Sequence, residues 1–136
     1  MAGETNKALI RRMFAAQLAN DMATYSAILA DDLTWTIMQY DIDRPRTKDE
    51  MLTMLSAVHD NLAGRWEKHI ISMISEGDTV AVEATALMDL ANGKTYNQRY
   101  HYVYRIRDGQ VYEVREYCDT AAAKEAFSGL SVVPDE

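Results

Sequence analysis

The 136-residue chain holds one cysteine, two prolines, two phenylalanines and six glycines. A lone Cys118 cannot close an internal disulfide or build a Cys-based zinc site, which points to a reducing compartment. Cations are also short: 14 Lys and Arg stand against 21 Asp and Glu, a formal charge of −7. Affinity for a phosphate backbone comes largely from Lys and Arg, so nucleic acid and anionic membrane surfaces are not expected as partners. No uncharged run exceeds nine residues, whereas crossing a bilayer takes roughly 20 apolar ones. Residues 1–7 (MAGETNK) contain no apolar signal core. Gly-rich phosphate loops and a nucleophile elbow are absent, and His59, His69 and His101 lack metal-ligand spacing. The expectation is a soluble, cytoplasmic protein without metal or cofactor.

What the chain has is an ordinary globular balance, 48% hydrophobic and 26% charged, with eight Met and eight Tyr. Its length suits a single domain over residues 1–136, with a core of about 5–127 and a loose tail at 128–136. Leu9, Ile10, Met13, Phe14 and Leu18 recur at helical spacing in residues 5–20. Asp21 is placed to cap a second helix that Asp31-Asp32 stops. Residues 33–39 are rich in β-branched and aromatic side chains and predict a strand. The polar loop 40–46 is a candidate gate or a solvated connection. Thr47 and Glu50 match a capping box for a helix that ends at Gly64.

Beyond Gly64 the hydrophobic period changes to two. Residues 65–75, 79–90, 95–107 and 110–118 predict four strands, joined by short turns that include Asn92-Gly93 and Asp108-Gly109. Such turns specify an antiparallel meander. Asp119 then caps a short helix at 120–127. Segregated helices and antiparallel strands define an α+β fold, in which helices on the concave face of a curved sheet enclose a pocket.

The element order, together with the pattern Arg107-Asp108-Gly109 and Arg115-Glu116-Tyr117-Cys118-Asp119-Thr120, resembles the nuclear transport factor 2-like superfamily, in its SnoaL-like and ketosteroid-isomerase-like branches. The resemblance implies a cone-shaped pocket and a homodimer formed through the outer sheet face. It also implies which side chains line the pocket: Trp35, Ile37, Glu83, Thr85, Leu87, Tyr100, Tyr102, Val114, Glu116 and Cys118 from the sheet. Met13, Gln17, Met54 and Val58 come from the helices. Carried across residue by residue, the ketosteroid isomerase base falls on Ile37, and its two oxyanion donors fall on Met13 and Tyr102. The limonene epoxide hydrolase positions fall on Glu83, Thr85 and Glu116, retaining a single one of their carboxyls. Neither of those two activities is expected.

Two glutamates carry the chemical expectation. Glu83 and Glu116, if turned into an apolar pocket, would have raised pKa values suited to acid–base work. The bland reading of each is an outward side chain, an Arg pair or a backbone cap. Tyr96, Tyr100, Tyr102 and Tyr104 share one strand face, either as hydrogen-bonding pocket wall or as strand filler, with Tyr102 the preferred donor. The expected function is a cofactor-independent enzyme of isomerase, cyclase or lyase type. It would act on an apolar cyclic or aromatic carbonyl or hydroxyl compound, with Glu116, Glu83 and Tyr102 catalytic. The alternative is a non-catalytic ligand-binding or dimerisation module with the same pocket.

Overall fold

The computed structural model describes residues 2–132. Helix α1 (Ala2–Leu18) turns Leu9, Ile10, Met13, Phe14 and Gln17 inward at helical spacing. Helix α2 (Met22–Ile28) starts where the Asp21 carboxylate accepts from the Thr24 amide at 3.1 Å and the Thr24 hydroxyl at 2.7 Å. Helix α3 (Lys48–Asp60) opens on the expected capping box. Thr47 Oγ1 accepts from Glu50 N at 3.2 Å, and the Glu50 carboxylate accepts from Thr47 N at 3.0 Å. Helix α4 (Thr120–Ala126) is capped by Asp119, which accepts from Ala122 N at 3.0 Å.

The strands are β1 (Leu29–Ile37), β2 (Leu62–Glu76), β3 (Thr79–Leu90), β4 (Thr95–Arg107) and β5 (Gln110–Cys118). They form one curved sheet ordered β1-β5-β4-β3-β2. The β2–β5 meander is antiparallel, and β1 returns to pair with β5 in parallel. The β4–β5 turn shows why Asp-Gly belongs there: Asp108 and Gly109 have φ values of 54° and 72°, as a tight hairpin turn requires. The architecture is α+β, as expected. No helix among the described residues is long and apolar enough to cross a membrane.

Four details depart from the sequence expectations. Strand β1 begins at Leu29, so Asp31-Asp32 does not end α2 but lies on the exposed side of an irregular stretch of that strand. There Asp32 accepts from Arg107 at 2.7 Å. Helix α3 ends at Asp60, and Gly64 instead belongs to β2, where a Cβ would lie 2.9 Å from Asp89 Oδ2. The glycine admits a close strand neighbour rather than terminating a helix. Residues 128–132 fold back, with Leu130 and Val132 packed on the core, instead of forming a loose tail. The remainder of that tail, 133–136, lies outside the described residues.

The fourth departure bears on function. On β3 the buried side chains are Val80, Val82, Ala84, Ala86, Met88 and Leu90, so Glu83, Thr85 and Leu87 belong to the opposite, outer face. Side chains alternate along a strand, so an alignment displaced by one residue exchanges the faces completely. Glu83 is exposed and sits across from His101.

On β4 the tyrosines form a column at the centre of the core. The rings of Tyr100 and Tyr102, and of Tyr102 and Tyr104, stack with centroids 5.1 Å apart in each pair. Phe14 and Trp35 meet Tyr102 edge-on at 5.9 and 6.4 Å. Each such contact contributes about 0.5–1.5 kcal/mol beyond burial of its area.

Candidate functional site

Between the inner sheet face and the helices lies a cavity of about 100 Å³. Tyr96, Tyr100, Tyr102 and Tyr104 form its floor, and Trp35, Ile37, Met51, Met54, Val58 and Met88 much of its wall. Four polar or charged side chains enter this apolar space: Gln17, Arg46, Lys68 and Glu116.

Glu116 projects from β5 in register with Ile37 on β1 and Tyr102 on β4. Cross-strand neighbours share a face, which places the carboxylate and the phenol side by side. Glu116 is buried. Its Oε1 accepts from Trp35 Nε1 at 2.9 Å, and its Oε2 faces the Cys118 thiol at 3.7 Å. No cation among the described residues bonds it. Burial therefore raises its pKa above the ordinary glutamate value, a rise opposed by the charge of Lys68 and by the Trp35 bond. Burial and, after it, the same carboxylate push the Cys118 thiol up to about 12, which makes it an inert wall residue.

Arg46, the other cation that borders the cavity, is engaged elsewhere. Its Nε donates to Asp41 Oδ2 at 2.6 Å and its Nη1 approaches Met54 Sδ at 3.3 Å. Asp41 also accepts from Ile37 N at 3.1 Å, and Arg46 and Trp35 exchange two backbone hydrogen bonds. Tyr40 donates to Thr120 O at 3.1 Å. The 40–46 loop is thus fastened to β1 and α4 through Tyr40, Asp41 and Arg46, while residues 42–45 between them are exposed, as a solvated connection would be.

Lys68 is a site residue that the sequence expectations do not include. It enters from β2, passes over Ala84 and Ala86 of β3, whose small side chains leave room, and reaches β4. Its Nζ donates to Tyr102 Oη at 2.9 Å and to Gln17 Oε1 at 3.0 Å. The rings of Phe14, Tyr102 and Tyr100 surround it at 4.6, 5.0 and 5.1 Å. Although the residue as a whole is half-buried, its ammonium is desolvated, which lowers its pKa to about 8 against the pull of Glu116. Burial raises Tyr102 well above the usual phenol value, so it acts as a hydrogen-bond donor and not as a base. A sequence signal for Lys68 existed: it occupies the inward parity of β2 between Trp66 and Ile70.

The cavity brings together Gln17, Trp35, Ile37, Met54, Val58, Tyr100, Tyr102, Glu116 and Cys118. Met13 and Val114 are buried in the core but do not border the cavity. Glu83, Thr85 and Leu87 lie on the other face of the sheet. The carboxylate pair expected from the sequence is therefore a carboxylate–amine pair.

The chain has no significant sequence match among curated proteins. Several solved structures share its fold. An NTF2-like protein of unknown function from Burkholderia pseudomallei is 21% identical, covering 92% of this chain and 98% of its own, with a TM-score of 0.77. An LEH-like epoxide hydrolase of M. tuberculosis is 21% identical over 96% of this chain and 92% of its own, with a TM-score of 0.76. IdmH of Streptomyces antibioticus, a candidate polyketide cyclase, is 16% identical over 90% and 97%, with a TM-score of 0.75. The SnoaL-like domain model matches residues 10–114. With that match spanning most of its length and an NTF2-like fold around the cavity, the chain belongs to the SnoaL-like domain family.

Proposed function

We propose that the protein is a cofactor-independent enzyme that moves a proton next to the carbonyl group of a small apolar molecule, in a reaction of isomerase, cyclase or lyase type. The observation that carries this reading is Glu116: a buried carboxyl with no cation among the described residues bonded to it, facing an apolar cavity beside a phenol donor. Ionised Glu116 takes a proton from the carbon beside the carbonyl. The developing oxyanion accepts from the Tyr102 hydroxyl, whose oxygen already accepts from Lys68 at 2.9 Å. That charge-assisted bond strengthens the phenol as a donor. Glu116, now protonated, returns the proton to a second carbon or to a leaving group.

Cavity size narrows the substrate. About 100 Å³ is smaller than the roughly 150 Å³ engineered cavity that accepts benzene. A volume below the one that accepts a six-membered aromatic ring favours small carbonyl compounds, cyclopentanone-sized or less, over polycyclic ones. Epoxide opening in the limonene epoxide hydrolase manner lies outside the proposal, since Glu83 and Thr85 face away from the cavity. The proposal also places the protein in the cytoplasm as a homodimer joined through the outer sheet face, a surface on which Ile74 and Tyr117 are exposed.

Deuterium exchange tests the chemistry without a known substrate. Cyclopentanone in D2O, followed by NMR, should gain deuterium beside its carbonyl faster with the protein than with buffer. Glu116→Gln should slow that gain by about 10²–10⁴-fold, the usual contribution of a positioned acid–base group. A folded E116Q protein within tenfold of the wild type overturns the assignment. Binding of small ketones without any exchange favours the non-catalytic ligand-binding module.

A further inference from the structure

The wild-type cavity holds a second reactive group whose chemistry differs from proton transfer. Lys7, Lys48 and Lys94 each pair with an acid, Glu4, Asp31 and Glu125 respectively. Lys68 makes no ion pair among the described residues, although it carries its amine into the interior and Glu116 shares the cavity. An ammonium without an anion in an apolar space is costly, so packing alone does not account for its presence. We propose that Lys68 is a nucleophile that captures a small neutral aldehyde or ketone in the cavity as an imine.

The geometry supplies each part of the step. Gln17 and Tyr102 hold Nζ at a fixed position, and three aromatic rings pack around it at 4.6–5.1 Å. Desolvation brings the amine down to about 8, so a usable fraction is neutral near pH 7. The ammonium first gives a proton to the Glu116 carboxylate. The freed lone pair then attacks the carbonyl carbon while the C=O π electrons move to oxygen, which takes a second proton from the same nitrogen and leaves a neutral carbinolamine. The nitrogen lone pair then forms C=N as the hydroxyl, protonated by Glu116 in its acid form, departs as water. In sum one carbonyl compound and one ammonium give one protonated imine and one water, with no change of charge and no oxidant or reductant. Glu116 in the same cavity disfavours a ligand that bears a carboxylate, which is why the proposed class is neutral.

Reductive trapping tests the proposal on the full chain. The protein is incubated with butanal and sodium cyanoborohydride at pH 7, and alkylation at each lysine is quantified by peptide mass spectrometry. At this pH an amine of pKa about 8 is about 10% neutral, against about 0.03% for one at the ordinary lysine value of 10.5. Lower intrinsic nucleophilicity offsets part of that advantage. Lys68 should therefore be alkylated more than tenfold faster than Lys7, Lys48, Lys94 or Lys124, and the ratio should shrink toward pH 10. Alkylation of Lys68 no faster than these lysines overturns the proposal. Independence from the Glu116 reading can be scored directly. Trapping at Lys68 without deuterium exchange supports capture and sinks proton transfer, whereas exchange without trapping does the reverse.

Discussion

Replacing Lys68 with methionine turns the buried amine into a measurable stability difference. The unfolded chain titrates this lysine at its ordinary value of 10.5, and the folded protein at about 8. Below about pH 8 both states hold the proton, and the folded state bears the whole penalty of its desolvated charge. That penalty is 2.5 pH units at about 1.36 kcal/mol each, or about 3 kcal/mol. Between about 8 and 10.5 the unfolded chain binds more protons than the folded one, so Lys68 makes wild-type stability rise with pH. From pH 7 to 9.5 the recovery is about 2 kcal/mol. The methionine side chain of K68M carries no such titration, so the change of the difference with pH reports Lys68 itself. Urea unfolding of both proteins at pH 7 and pH 9.5 is the assay. The K68M stability relative to wild type should fall by about 2 kcal/mol between the two. A relative stability that is unchanged with pH refutes the desolvated ammonium and with it the electrostatics of the site.

Tyr102→Phe removes the oxyanion donor and should cut ketone exchange by about 10²–10³-fold, with the far-UV spectrum preserved. Trp35→Phe deletes the 2.9 Å bond that holds the Glu116 pKa down. Its pH–rate profile should therefore switch on at a higher pH than the wild type's. Glu83→Gln, on the outer face, should alter stability by less than about 0.5 kcal/mol and leave exchange rates unchanged. Thr47→Ala breaks the capping box of α3 and should cost about 1 kcal/mol in urea unfolding.

The meander was legible because two independent signals coincide there: alternation of apolar residues, and Asn-Gly or Asp-Gly where the chain must turn tightly. The bounds of β3, β4 and β5 follow the sequence reading to the residue. Caps at Asp21, Thr47 and Asp119 were equally readable, since they depend on a side chain three residues from its partner. The start of β1 was not. Two consecutive aspartates look like a stop, but an edge strand with a solvated face and an irregular register accommodates them. Glu83 was misplaced for a different reason. The even-numbered run Val80, Val82, Ala84, Ala86, Met88 and Leu90 states the inner face of β3 plainly, whereas a distant alignment displaced by one residue reverses it. Lys68 was missed because a lysine is usually read as surface. Its inward parity on β2 and the two alanines on the neighbouring strand together make its path, and that combination requires knowing which strands are adjacent.

The tyrosine column has a consequence for how the chain avoids misfolding. Strand β4 alternates Tyr96, Gln98, Tyr100, Tyr102 and Tyr104 on one side with Asn97, Arg99, His101, Arg105 and Arg107 on the other. A one-residue slip against β3 or β5 would turn three guanidinium groups inward and cast the aromatic stack into water. Wrong registers of the central strand are thereby penalised heavily, so β4 acts as a ruler against which its neighbours are aligned during folding. Since Glu116 takes its position from the rung it shares with Tyr102, the same device that rejects misaligned sheets also sets the spacing of the reactive groups.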